Sequence, residues 1–205
     1  MGLVDRVKNT LLSPRSELQV IDAEPTTINS LYAGYIAPLA AIPAICQAIG
    51  WSLIGVSIPF VGGRIRIPVT TAIVRAIVMY IIGLIGVYIG AFIIDALAPT
   101  FGGTKNMVQS LKVVAFAATP VWVAGILNLV PALFMIQILV ALYSLYLLYL
   151  ALPVLMKSPA DKAAGYTVVV LIACFIVGAI IAVVMGALGL TAMGTMGAMG
   201  SGYHP

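Results

Sequence analysis

The chain has 205 residues, of which 62% are hydrophobic and 8% are charged, with a mean hydropathy of +1.17. A water-soluble domain carries about 45–50% apolar and about 25% charged residues, so this composition excludes an ordinary soluble fold. With two cysteines and few charges, the sequence is not typical of a disulfide-stapled or a disordered chain either. The net charge of +4 comes from an excess of Lys and Arg. In a chain this apolar, such an excess usually sets the membrane topology rather than a nucleic-acid-binding surface.

The N-terminal arm, residues 1–30, begins with an amphipathic pattern that ends at Ser13-Pro14. The pattern predicts a cytoplasmic amphipathic helix on the membrane surface, and a frayed terminus packed on the bundle is the alternative. Asp22 and Glu24 come next, ahead of a Pro-Thr-Thr sequence that is a candidate cap for the first span. The apolar residues of the amphipathic pattern are Leu3, Val4, Val7, Leu11 and Leu12.

Five apolar stretches are long enough to cross a bilayer, whose core takes about 20 helical residues. The third and fourth lie in a charge-free run that is too long for one span, and the sequence Asn128-Leu129-Val130-Pro131 is its polar, proline-bearing break. The sequence therefore predicts an all-α polytopic membrane helix bundle over residues 31–190, with a tight αα-hairpin between the third and fourth helices. The five stretches are residues 31–55, 70–94, 113–127, 132–153 and 166–190.

Two segments outside the predicted spans carry patterns of their own. Residues 58–67 contain two short extended runs around Gly62-Gly63, which predicts a small extracytoplasmic hairpin, and an irregular loop is the alternative. Residues 191–205 are rich in Gly and Met, which predicts a flexible extracytoplasmic tail. Methionine clusters suit Cu(I), so copper handling by this tail is a third and less favoured alternative function. Because the tail has one histidine, His204, and no cysteine, we expect no metal and no cofactor.

The distribution of Lys and Arg predicts the orientation. Seven of the ten Lys and Arg residues fall on the side of the N-terminus and two on the other side, with Arg75 inside the second span. By the positive-inside rule the N-terminus lies in the cytoplasm and the C-terminus outside.

Polar side chains inside the spans are candidates for a functional site, because burying them in lipid is costly. Arg75 and Asp95 bracket the second span about 30 Å apart, so they cannot pair with each other along one helix. Snorkelling to opposite membrane surfaces is the simpler interpretation of these two charges. The candidate intramembrane polar site consists of Arg75, Asp95, Asn128, Gln137, Tyr143 and Tyr146.

Small residues at three- and four-residue spacing predict close helix packing, because they let two backbones approach each other. They form one stripe in the second span and another in the fifth. We therefore expect a compact bundle with at least one tight helix pair. The stripes are Gly83, Gly86 and Gly90, and Gly178, Ala182 and Gly186.

Several blocks follow one another in a fixed order over residues 5–190, and generic hydrophobic spans would not dictate that order. They are Ser13-Pro14-Arg15, Glu24-Pro25, Tyr35-Ile36-Ala37-Pro38-Leu39, Ala115-Phe116-Ala117-Ala118-Thr119-Pro120, Tyr143-Ser144-Leu145-Tyr146-Leu147-Leu148-Tyr149, Leu152-Pro153, Lys157-Ser158-Pro159, Asp161-Lys162-Ala163 and Gly165-Tyr166. The chain thereby resembles the Yip family (Ypt/Rab-interacting five-span membrane proteins), in particular its short prokaryotic branch. The resemblance implies a five-span protein of a prokaryotic inner membrane.

The resemblance also implies a role for an acidic residue just ahead of the first span, for which Asp22 or Glu24 is the counterpart here. Eukaryotic members carry a longer N-terminal region, so binding of Rab GTPases is not carried over to this chain. The sequence also departs from the family at Ala151, where the family often has glycine.

Two functions stay open. The first is a non-catalytic membrane organiser or adaptor that binds lipid or a protein partner on its cytoplasmic face. The second is a channel or transporter for an ion or small polar solute, through the bundle or a homo-oligomer. We expect no enzyme, because no nucleophile has a base nearby, and no nucleic-acid partner. The candidate residues of the cytoplasmic face are Asp22, Glu24, Lys157, Asp161 and Lys162.

Overall fold

The structure is a computed structural model, and it describes residues 2–57, 64–130 and 133–187. In these residues five helices are long and apolar enough to cross a membrane, which confirms the predicted five-span bundle. The helices are α1 (Leu3–Leu12), α2 (Pro14–Ala23), α3 (Ile28–Ile54), α4 (Val69–Leu97), α5 (Met107–Ala124), α6 (Phe134–Leu155) and α7 (Ala163–Ala187). The strands are β1 (Val56–Ser57) and β2 (Arg64–Ile65).

Helix α5 is the centre of the bundle. In its most apolar stretch 61% of the residues are buried, against 11–28% in the other four spans. It packs against α3, α4 and α6, and it also contacts α1. The other spans turn most of their apolar surface outward, as expected where lipid replaces water as the solvent.

The N-terminal arm contains a second helix, α2, that the sequence analysis missed. Ser13 ends α1 as predicted, but Pro14 then occupies the first position of α2, where a missing backbone N–H costs nothing. The predicted cap of the first span is confirmed at Thr27, whose hydroxyl accepts from the Ser30 N–H at 3.2 Å. The Ser30 hydroxyl in turn accepts from the Thr27 N–H at 3.0 Å, which completes a capping box.

Helix α3 is irregular at both ends. It has wider π-helical turns at Tyr32–Ile36 and Gly50–Ile54. Pro38 follows the first π-helical turn, and Pro43 lies inside the regular segment between the two. A proline has no N–H for the helical ladder, so local widening near it is a common adjustment.

The connections gather at two ends of the bundle. At the end that carries the arm, the loop after α4 meets the loop after α6, where the Thr104 N–H donates to the Met156 carbonyl at 2.8 Å. At the other end, Val56 pairs with Ile65 in an antiparallel register, so the predicted hairpin is present as two short strands. Gly62-Gly63, Pro131 and the tail at 191–205 lie outside the described residues.

A close backbone approach lies between α3 and the segment that follows α5. A Cβ at Gly125 would come within 2.6 Å of the Pro43 Cβ, and one at Gly50 would overlap the Asn128 carbonyl oxygen. Glycine at these two positions therefore lets the backbones meet.

The two small-residue stripes do not make this contact within the single chain, which corrects the packing prediction. In the described part of the chain, a Cβ at Gly83, Gly86 or Gly178 would meet no atom within 4 Å, and Ala182 and Gly186 are exposed. A Cβ at Gly90 would approach a neighbour, the Val114 side chain at 3.6 Å. The spacing rule did not find the packed face because α4 and α7 are apolar all round, so no stripe marks the inward side.

Candidate functional site

The arm carries a buried arginine. Arg6 on α1 is only 8% exposed, and its guanidinium pairs with Glu17 at 3.0 Å and with Glu24. Arg6 is not part of the apolar pattern of α1, yet it faces the bundle. Helix α1 turns Arg6 and Thr10 inward together with Leu3 and Val7, while Val4 and Leu12 are 77% and 71% exposed. The arm is therefore folded onto the bundle and presents apolar side chains to its surroundings.

Helix α5 caps the end of α2. The ammonium of Lys112, a residue only 3% exposed, donates to the carbonyls of Ile21 at 2.7 Å and Glu24 at 2.8 Å. One helical turn earlier, the Gln109 amide donates to the backbone carbonyl of Asp22 at 3.3 Å. The last carbonyls of a helix lack partners of their own and carry partial negative charge, so a cation is favourable there. These contacts fix the position of α2 on the bundle.

The predicted cytoplasmic face is assembled in part. The Lys157 ammonium pairs with the Asp22 carboxylate across 135 residues of sequence. Lys157 has a positive φ of 56°, which places this lysine in the left-handed region just after α6. Asp161 and Lys162 lie on the 3₁₀ turn before α7 and are exposed. The structure thus brings Asp22, Glu24 and Lys157 to the same end of the bundle and leaves Asp161 and Lys162 in the open.

A cavity of about 350 Å³, here called the arm cavity, lies between the arm, α3 and α5. Its charged side is formed by Arg6, Glu24 and Lys112, and its apolar side includes Tyr35 and Phe116. Its volume lies in the range typical of small-molecule sites. The lining residues are Arg6, Ile21, Glu24, Pro25, Thr26, Ser30, Leu31, Gly34, Tyr35, Lys112 and Phe116.

The apolar side of the arm cavity is held by contacts between α3 and α5. The Tyr35 hydroxyl lies 2.7 Å from the Thr119 hydroxyl, which itself donates to the Ala115 carbonyl at 3.0 Å. The rings of Tyr35 and Phe116 are tilted against each other with centroids 4.6 Å apart. Buried hydroxyls with partners and packed rings make this wall rigid.

Two residues of the candidate intramembrane site belong to the arm. The Tyr143 hydroxyl donates to the Leu11 carbonyl in the last turn of α1 at 2.7 Å, and its ring lies 6.0 Å from that of Tyr146. Tyr146 in turn borders a shallow cavity at the junction of α1 and α2, together with Arg15. These tyrosines act as arm contacts in the single chain.

The remaining polar residues are divided between the two ends of the bundle, so the six do not form one intramembrane site. Arg75 lies over the Trp51 ring at 4.2 Å, and the Gln137 amide donates to the Asn128 side chain at 2.5 Å. Both contacts are at the end that carries the strands. Asp95 lies near the C-terminal end of α4. The carbonyl of the preceding residue, Ile94, accepts a hydrogen bond from the Tyr166 hydroxyl. As expected, Arg75 and Asp95 are at opposite ends of α4.

Sequence reasoning missed the residues that build the arm cavity. Lys112 was counted as a loop charge because the apolar run was taken to begin at residue 113. The structure starts α5 at Met107, where the Asn106 side chain accepts from the N–H groups of Val108 and Gln109 at 3.1 and 3.2 Å. An asparagine before an apolar run is a helix N-cap signal. That signal was available and would have placed Lys112 inside the helix.

A helical bundle with five candidate spans and a folded arm defines a polytopic membrane protein. The chain belongs to the Yip1 family, because the Yip1 domain matches residues 8–182, and this confirms the resemblance seen in the sequence. The chain is 29% identical over 158 residues to the inner membrane protein YohC of Escherichia coli strain K12. The aligned region covers 75% of this chain and 80% of that relative. The protein of the same name from strain CFT073 gives the same figures. No solved structure matches the chain.

Proposed function

We propose that this protein is a non-catalytic membrane organiser that holds a lipid headgroup in the arm cavity. The observation that carries the proposal is the cavity itself, about 350 Å³ of space with charged and apolar walls. The two cations of its lining, Arg6 and Lys112, are almost fully buried where the arm meets the spans. A cavity with charged and apolar walls between spanning helices and a surface arm is a suitable position for a headgroup.

The protein acts, in this proposal, in an inner membrane with the arm on the cytoplasmic side. The excess of Lys and Arg at the arm end of the bundle supports this orientation. The name of the Escherichia coli relative, an inner membrane protein, supports the location. A protein partner on the same face is the other form of adaptor, and the exposed Asp161 and Lys162 would then be its nearest charged contacts.

A substitution of Gly34 tests the proposal. In the described part of the chain a Cβ at Gly34 would meet no atom within 4 Å, and this glycine lines the arm cavity. A leucine there should fill the cavity without displacing the protein, and leucine favours helix over glycine by roughly 1 kcal/mol. We expect Gly34→Leu to lower the phospholipid retained by the detergent-purified protein at least about fivefold, measured by native mass spectrometry, since a filled pocket loses its contacts.

The matched control is Gly83→Leu. Gly83 is also a helical glycine whose Cβ would meet no described atom within 4 Å, but it lies outside the arm cavity. This variant should retain phospholipid as the unmodified chain does. Equal retention by Gly34→Leu and Gly83→Leu would contradict the proposal.

Transport is the alternative function, and a flux assay separates it from the organiser. Arg75 and Asp95 at opposite ends of α4, and the pairing of Gln137 with Asn128, support the organiser over a polar route. We expect proteoliposomes to pass ions and small solutes no faster than empty vesicles. A selective flux abolished by Gln137→Leu or Arg75→Leu would instead establish a channel or transporter.

A further inference from the structure

We infer that the arm cavity selects a zwitterionic headgroup in which a primary ammonium accompanies the phosphate, as in an ethanolamine phospholipid. This inference rests on the proposed function and names the ligand class of the same site. The charges that line the cavity carry it: two cations, Arg6 and Lys112, and one carboxylate, Glu24. A ligand that complements both signs must itself carry both.

The phosphate end of the ligand fits the cationic wall. An ammonium has three donors, and Lys112 uses two of them on the carbonyls of Ile21 and Glu24. The third donor is left for a ligand oxygen. Thr26 also lines the cavity, just before α3, and adds a hydroxyl group to the same wall. A phosphate oxygen is a strong acceptor for such donors.

The ammonium end fits Glu24. One carboxylate oxygen of Glu24 pairs with Arg6, while the side chain is still 46% exposed. A carboxylate accepts several hydrogen bonds at its two oxygens, so this group has capacity for a second cation. A trimethylated ammonium has no N–H to donate, and a glycerol headgroup brings no positive charge. Glu24 therefore discriminates against choline and glycerol headgroups.

The apolar wall indicates that the ligand is a lipid rather than a soluble zwitterion. Leu31, Tyr35 and Phe116 line the cavity from spanning helices and would contact the glycerol and upper acyl carbons of a phospholipid. The exposed Val4 and Leu12 of α1 place an apolar surface on the same arm. A free headgroup in water would leave this apolar area without a partner.

A competition among lipids tests the inference on the full chain. The protein is reconstituted in vesicles with equal amounts of ethanolamine, choline and glycerol phospholipids of matched acyl chains, extracted and measured by native mass spectrometry. We expect the ethanolamine lipid to exceed the choline lipid about tenfold, the ratio that one charge-assisted hydrogen bond supplies. Retention should decline stepwise as the ethanolamine nitrogen is methylated, a series that needs no substitution in the protein.

The variant Glu24→Gln should bring the ratio of ethanolamine to choline lipid close to one, because the neutral amide cannot pair with the ligand's ammonium. Asp161→Asn is the matched control, since Asp161 is an exposed acid outside the arm cavity, and it should leave the ratio unchanged. Glu24→Asp, which restores the charge, should restore part of the preference. A preference that survives Glu24→Gln overturns the inference.

Two further outcomes separate the inference from the proposed function. Phospholipid retained without headgroup preference overturns the inference and leaves the organiser intact, whereas no retained phospholipid in any vesicle overturns both. In the last part of the experiment, soluble glycerophosphoethanolamine is added to the vesicles. Displacement of the lipid by an equal concentration of this compound would show a site for the free zwitterion and overturn the lipid assignment.

Discussion

Lys112 on α5 donates from its ammonium nitrogen to the backbone carbonyl of Ile21 on α2, 2.7 Å away and 91 residues earlier in the chain. Both residues are buried, so the contact is shielded from bulk water. Together with the contacts of Lys112 to Glu24 and of Gln109 to Asp22, it connects the arm to the central helix of the bundle. Whatever displaces Lys112 also opens the arm cavity, because the lysine is part of its wall.

We expect Lys112→Met to loosen the arm while the spans stay folded. The substitution keeps a long side chain but leaves two buried carbonyls without their donor, and each unsatisfied group costs about 1–3 kcal/mol. Amide hydrogen exchange in residues 14–24 should accelerate about tenfold or more, since 1.4 kcal/mol corresponds to a factor of ten. The control is Lys8→Met on the exposed side of α1, which should leave these amides unchanged. Equal exchange in the two variants would show that α2 does not depend on Lys112.

Lys157 offers a test of backbone strain at the arm end. Its φ of 56° lies in the left-handed region, which costs a residue with a Cβ roughly 1–2 kcal/mol. The Lys157 side chain, which pairs with Asp22, is 54% exposed. Exposed ion pairs contribute about 0–1 kcal/mol to the free energy of unfolding. Lys157→Gly should therefore be more stable than Lys157→Ala by about 1 kcal/mol, because both lose the ion pair and only glycine relieves the strain. Unfolding in mild detergent with added denaturant measures this difference.

In the same unfolding assay, Asp22→Asn removes the ion pair without touching the strained residue. We expect it to fall within about 1 kcal/mol of the unmodified chain. If Lys157→Ala were as stable as Lys157→Gly, the left-handed conformation would not be a cost to the folded protein.

A third prediction concerns the contact between α3 and the end of α5. Gly125→Ala should destabilise the protein by about 1–3 kcal/mol, the usual cost of forcing an extra methyl group into a packed contact. The added Cβ would lie 2.6 Å from the Pro43 Cβ. The control is Gly178→Ala, where the methyl group would meet no described atom within 4 Å, and its thermal midpoint in detergent should not fall. If the thermal midpoint fell for Gly178→Ala and not for Gly125→Ala, the result would instead favour a tight contact between the small-residue stripe of α7 and another copy of the protein.

The sequence predicted the five spans because a bilayer imposes a length on every apolar helix. The break at Asn128-Leu129-Val130-Pro131 followed from the same length argument and agrees with the end of the 3₁₀ turn at Leu129. Helix α2 was missed because proline was interpreted only as the end of a helix, although it is also favoured at a first helical position.

The arm cavity was not predictable from spacing. Arg6, Glu24 and Lys112 are far apart in the sequence, and they meet only because the arm folds back on α5. In the sequence each of these charges has a simpler interpretation, as a topology signal or a surface residue. The cap at Asn106 was the one local clue that Lys112 lies inside a span.

The last prediction concerns which side of the membrane the arm faces, and it uses single cysteines in a chain whose Cys46 and Cys174 are replaced by alanine. Ser16→Cys on α2 and Thr70→Cys at the start of α4 are exposed positions at opposite ends of the bundle. In sealed right-side-out vesicles, an impermeant thiol reagent should label Thr70→Cys and should reach Ser16→Cys only after the membrane is opened. This follows from the excess of Lys and Arg at the arm end, which favours the cytoplasm. The reverse labelling would place the arm cavity in the outer leaflet. Labelling of both positions from one side would contradict a crossing of the membrane by α3, the span that lies between them.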